Sequence, residues 1–118
     1  MALATLGEVV LDCRDRHALA AFYLEVLGGT LNDEDDWLEL RLPDGQTLAF
    51  QETPDHVAPE WPSGDRSQQF HLDLMVPDLD TAETAVLALG AKPLDTAPGR
   101  NWRVYADPAG HPFCLCRA

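Results

Sequence analysis

The strongest constraint on this chain is an internal repeat. Glu8-Val9-Val10-Leu11-Asp12-Cys13-Arg14-Asp15 lies over His71-Leu72-Asp73-Leu74-Met75-Val76-Pro77-Asp78, each a strand closed by an Asp that opens a helix. The correspondence continues. Leu27-Gly28-Gly29 matches Leu89-Gly90-Ala91, Trp37 matches Trp102, and Leu40 matches Tyr105. Pro43-Asp44-Gly45 matches Pro108-Ala109-Gly110, and Leu48-Ala49-Phe50 matches Phe113-Cys114-Leu115. Each half is therefore βαβββ. One half cannot bury both its sheet face and its helix alone. Two can, if their sheets join and curve while the helices cover the outside. The expectation is an α+β fold of two tandem βαβββ modules in a single domain over residues 1–118. Module 1 spans about 5–53, a proline-bearing linker about 54–69, and module 2 about 70–118.

Local signals place the elements. A helix is expected over His17–Leu27, capped by Asp15, with Ala18, Ala21, Phe22 and Leu24 apolar and Gly28-Gly29 ending it. A second is expected over Leu79–Leu89, capped by Asp78, with Ala82, Val86 and Leu89 on one face. Strands are expected over Glu8–Cys13, Trp37–Leu42, Thr47–Gln51, Phe70–Val76, Trp102–Ala106 and Phe113–Arg117, with weak edge strands around Leu31 and Leu94. The run Asp33-Glu34-Asp35-Asp36 reads as a solvated loop.

Strand parity sorts the side chains. Val9, Leu11, Cys13, Leu38, Leu40, Leu42, Leu48 and Phe50, with Leu72, Leu74, Val76, Tyr105, Phe113 and Leu115, form a nearly all-apolar face that packs on the helices. The opposite face carries Glu8, Val10, Asp12, Trp37, Glu39, Arg41, Ala49 and Gln51, with His71, Asp73, Met75, Trp102, Val104, Cys114 and Cys116. Apolar walls, aromatic plates and a few polar groups suit a ligand cavity. A solvated sheet face is the plainer alternative.

Composition removes several function classes. A net charge of -12 argues against binding nucleic acid or an anionic membrane surface. No apolar run reaches the length of a membrane helix, and the opening Met1-Ala2-Leu3-Ala4 lacks a basic leader region. Three cysteines without a CxxC fit a reduced, cytoplasmic protein.

The paired strand-then-Asp-helix units, the run Ala21-Phe22-Tyr23-Leu24-Glu25-Val26-Leu27-Gly28-Gly29, and the turn Asp107-Pro108-Ala109-Gly110-His111-Pro112-Phe113 resemble the glyoxalase, bleomycin-resistance and ring-cleaving dioxygenase superfamily, also called vicinal oxygen chelate. The resemblance covers nearly the whole chain. It implies a cupped mixed β-sheet with helices on the outer face, and frequently a homodimer. It also implies a divalent metal on the inner face, held from positions that here are Glu8, Ala49, His71 and Cys114. Ala49 has no donor, Cys114 stands where such enzymes have Glu, and Gln51 on the same face offers a substitute oxygen. A set of Glu8, Gln51 and His71 suits a hard or borderline ion, whereas a thiolate prefers softer ones. The resemblance points most closely to a glyoxalase-like branch whose members look metal-free and end in a similar Phe-Cys-Leu strand.

Single residues carry paired readings. His71 is a general base, a ligand, or a hydrogen-bonded wall imidazole, and Glu8 is similar. Cys114 and Cys116 are lining thiols unless a cation lowers a thiol pKa. Trp37 and Trp102 stack on a flat or cationic ligand, or fill core. Arg41 holds a ligand carboxylate, or pairs with Glu39 or Asp12. His111 takes a turn role, and His17 and His56 are surface residues. Three functions follow: binding of a small organic molecule by Trp37, Arg41, Gln51, Asp73, Met75, Trp102 and Cys114; metal-dependent lyase, isomerase or dioxygenase chemistry on Glu8, Gln51 and His71; and metal-free base catalysis by His71 or Glu8.

Overall fold

The computed structural model describes residues 2–3, 5–35, 37–67 and 69–118. Met1 and Ala4, from the stretch searched for a leader, and Asp36, the last of the acidic run, lie outside the described residues. The chain divides into two compact units, Met1–His56 and Val57–Ala118. The first contains β1 (Val9–Cys13), α1 (Arg16–Leu27), β2 (Thr30–Glu34), β3 (Trp37–Arg41) and β4 (Thr47–Glu52). The second contains β5 (Leu72–Met75), α2 (Leu79–Ala88), β6 (Lys92–Asp95), β7 (Trp102–Ala106) and β8 (Pro112–Cys116). The strands form two four-stranded mixed sheets of the same topology, β1-β4-β3-β2 and β5-β8-β7-β6. In each, the first strand runs parallel to the last and the remaining pairs are antiparallel. The tandem βαβββ organisation is thus present element by element. No described helix is long and apolar enough to cross a membrane.

Both helices start where the sequence places an Asp. The Asp15 carboxylate accepts from the His17 and Ala18 N–H groups, and that of Asp78 from Thr81, satisfying donors left open by the first turn. α1 ends at Gly28. At Gly29 the backbone has φ +114° and lies against the Arg41 carbonyl, so any Cβ would collide with β3.

The buried stripe of α1 is Leu19, Ala20, Phe22 and Tyr23, whereas Ala18 and Ala21 face solvent. The larger apolar area of Leu19 and Tyr23, one turn apart, decides which way the helix turns. Tyr23 stacks on Phe50 with ring centroids 6.0 Å apart, over a fully buried layer that includes Leu38 and Leu40. In α2 Leu79 and Val86 are buried, but Leu89 is 39% exposed. Leu89 is the C-cap beyond the end of the helix, and Glu83, one turn beyond Leu79, is half-buried against the sheet. Glu83 accepts a hydrogen bond from the Tyr105 hydroxyl at 2.9 Å and one from Arg103 at 3.3 Å, and Arg103 also reaches Asp80 at 2.8 Å. Arg103 shares the face of Tyr105 on β7, two residues before it, so the helix-facing side of the second sheet is polar at one point.

The acidic run is not a loop throughout. Asp33 and Glu34 extend β2, and Asp35 turns the chain with φ 54°. Pairing in a ladder with β3 outweighs their low strand propensity.

Candidate functional site

The second unit carries the richest constellation. Register sets it out in rows across the inner face. Asp73 pairs with Cys114, which pairs with Val104, and Met75 pairs with Cys116, which pairs with Trp102. His71 lies two residues before Asp73, on the same face of the chain. Its Nε2 is 3.3 Å from Asp73 Oδ1. His71 Nε2 or Nδ1, an Asp73 oxygen and Cys114 Sγ all lie within 4.8 Å of one another.

An open cleft of about 390 Å³ surrounds these groups, with Trp61, Asn101, Trp102, Cys116 and Arg117 completing its lining. Trp61 meets His71 edge-on at a centroid distance of 5.3 Å. The Arg100 guanidinium lies 3.7 Å over the Trp102 ring and is held there by Asp95 at 2.7 Å. The Asp95 carboxyl is accordingly below its ordinary value, chiefly through the Arg100 hydrogen bond.

Electrostatics keep the thiols protonated. Burial raises Cys114 to about 12, and the negative charge of Asp73 adds to it. Cys116 is raised by the same two causes. Neither thiol is an activated nucleophile in this setting.

In the first unit the matching rows are Asp12, Gln51 and Trp37, then Val10, Ala49 and Glu39. Glu8 is held above the ordinary carboxyl value, first by burial and then by a hydrogen bond with Glu39 and that group's charge. The Trp37 indole donates to Glu39 at 3.3 Å. Gln51 is opposite Asp12 at the far end of the β1–β4 ladder from Glu8, roughly 13 Å along it. Arg41 is exposed, and register sets Asp12 four rows away, while Glu39 is engaged by Trp37. The expected Arg41 pair with Asp12 or Glu39 is not what this register favours. Met75 is 66% exposed at the outer edge of its sheet.

Within the second unit the structure brings His71, Asp73, Trp102 and Cys114 together, and within the first it brings Glu8, Trp37 and Glu39 together. Trp61, Asn101, Arg100 and Arg117 were missed by the sequence reading. Trp61 sits in the stretch read as a linker, where no periodicity marks a cavity residue. Arg100 and Asn101 directly precede Trp102, and that adjacency was the available signal. His111 fills the expected turn role, with its N–H donating to the Asp107 side chain at 3.0 Å and its carbonyl accepting from the Asp107 N–H.

The metal set implied by the resemblance meets a poor donor inventory. Ala49 is fully buried and has no donor, Cys114 is a neutral thiol, and Glu8 is hydrogen-bonded to a second carboxyl. Those four positions do not fit a hard divalent ion.

The family model for the glyoxalase-like domain matches residues 8–116. The chain belongs to the glyoxalase-like domain family. No functionally curated protein matches it in sequence. Solved structures share the fold at low identity. The genomically encoded fosfomycin resistance protein FosX from Listeria monocytogenes superposes with TM-score 0.75 at 14% identity, over 99% of this chain and 95% of that one. A glyoxalase family protein from Enterococcus faecalis gives 0.71 at 22% identity, over 98% and 99%. A glyoxalase/dioxygenase from Nostoc punctiforme gives 0.70 at 18% identity, over 98% and 91%.

Proposed function

We propose that this glyoxalase-like protein binds a small, flat organic ligand in the cleft of its second unit, in the manner of a bleomycin-resistance-type binding protein. The observation that carries the reading is the cleft itself: two tryptophans, Trp61 and Trp102, lining a floor of Cys114 and Cys116, with His71, Asp73 and Arg117 as polar groups. The expected cationic ligand finds the Trp102 ring already faced by Arg100, so an aromatic ligand suits the lining better. The family name and the fosfomycin-resistance neighbour support a small-molecule site and leave the compound open.

The test is a fluorescence and thermal-shift titration with a panel of small aromatic acids, amines and neutral compounds, run with a chelator present. Binding should quench tryptophan emission and raise the melting temperature. Trp102→Ala should weaken it by about 0.5–1.5 kcal/mol, the usual worth of an aromatic pair beyond its buried area. A panel without a single response removes the proposal.

The His71–Asp73 contact favours one second reading, base catalysis by His71 on a bound ligand. Turnover of a panel ligand that His71→Gln abolishes while binding persists would distinguish it.

A further inference from the structure

We propose that the second unit carries another small-molecule site, which takes a small carboxylate with an apolar body and holds it at Lys92. A second cavity, of about 480 Å³, lies within this unit, and its apolar walls include Pro59, Trp61, Leu94 and Pro108. Register sets it apart from the cleft. Lys92 pairs with Ala106 at the end of β7, and both line the cavity, whereas Trp102 at the start of β7 lines the cleft. Those two ends are roughly 13 Å apart along the strand. Trp61 lines both openings and stands between them. The wall that carries Trp61 is built into the fold. Gly110 has φ +90°, and Ala58 sits where its Cβ would be, so the segment before Trp61 rests directly on the turn at 107–110. The Glu60 N–H then donates to the Arg66 carbonyl at 2.8 Å and closes that segment into a loop.

Charge selects the ligand. Lys92 and Asp107 are the charged residues of the lining among the described residues, and they are not equivalent. Asp107 is buried, and its Oδ1 accepts from the Ala109 and His111 N–H groups at 2.9 and 3.0 Å, so the turn already answers that carboxylate. Lys92 is exposed, and none of the described acidic residues forms an ion pair with it. It is also the chain's only lysine, in a protein of net charge -12. A cation left without a carboxylate, amid such an excess of carboxylates and beside apolar walls, is the complement of an apolar acid. The ammonium takes the carboxylate, and the walls take the body. An amine would meet a like charge there. The site uses none of His71, Asp73 and Cys114, and it stands whether or not a flat ligand occupies the cleft.

The experiment is titration of the full chain, carrying ¹³C-lysine and ¹⁵N-tryptophan, with hexanoate and with hexanamide, followed by NMR. The lysine label reports on Lys92 alone. Hexanoate should shift the Lys92 ε-methylene signal and the Trp61 indole N–H to saturation. Hexanamide, the same body without the charge, should bind about 5-fold more weakly, the worth of a well-made ion pair at a partly open site. Lys92→Gln changes an exposed side chain and should erase that preference, read on the Trp61 signal. Leu94→Glu, also at an exposed position, sets a carboxylate on the wall and should abolish hexanoate binding. The Trp102 signal reads the cleft, so failure of either site is seen separately. A Lys92 signal that hexanoate leaves in place or shifts without saturating, hexanamide bound as tightly as hexanoate, or a preference that survives Lys92→Gln would each overturn the proposal.

Discussion

The two units share one topology, strand for strand, yet their inner faces carry different chemistry. In the first, the row Val10–Ala49–Glu39 puts its only charge on β3, where Glu39 meets Glu8 and Trp37. In the second, the equivalent row Asp73–Cys114–Val104 moves the carboxylate to β5, beside His71 and a thiol. Carboxyl against carboxyl favours a retained proton, whereas imidazole, carboxylate and sulfur make a donor set. The helix-facing sides differ as well. The first is sealed by apolar contact centred on Tyr23 and Phe50, and the second closes on the Glu83, Tyr105 and Arg103 hydrogen bonds. A repeat fixes the backbone register and leaves each row free to specialise.

That contrast can be broken at its core first. Phe50→Ala removes a fully buried ring from the stack with Tyr23 and should cost about 3–5 kcal/mol in denaturant unfolding. Glu83→Ala should cost less, about 1–3 kcal/mol, because it strands the buried Tyr105 hydroxyl rather than opening a large void. Equal losses would mean that the two helix interfaces are not different in kind.

Alkaline pH should weaken the second unit in particular. Burial holds Cys114 at about 12 against an ordinary 9.0, and burial with the Glu83 hydrogen bond holds Tyr105 at about 12 against an ordinary 10.0. In both groups the folded value lies above the unfolded one. Stability from keeping them neutral is therefore complete below pH 9 and is lost as pH rises from there through about 12. Melting temperature measured against pH should fall from about 9, and Cys114→Ala should make the first part of that fall shallower. The smallest effect is expected from Trp37→Phe. It removes one 3.3 Å hydrogen bond to Glu39 and should cost about 0.5–1 kcal/mol in the same unfolding assay.

Much of this fold was legible because its signals are local. Asp15 and Asp78 announce helices through a single capping carboxylate, and period-two alternation sorted Leu38, Leu40, Val104 and Cys114 onto their faces before any contact was known. The departures arose where tertiary packing chose among local options. Ala18 and Ala21 lost to Leu19 and Tyr23 because they offer less area to bury, and Leu89 left the stripe because α2 ends at Ala88 and makes it the C-cap. At the site, parity alone united His71, Asp73, Trp102 and Cys114. Trp61 escaped because its place depends on how an aperiodic segment folds back onto His71, which no spacing encodes.

The chain's three tryptophans divide the account cleanly, since Trp37 lies in the first unit and Trp61 and Trp102 line the cleft of the second. The decisive measurement is the indole N–H region of a two-dimensional ¹H–¹⁵N spectrum during titration with an aromatic compound that binds. The Trp61 and Trp102 signals should shift with saturation. A shift confined to Trp37 would contradict the placement of the ligand site in the second unit.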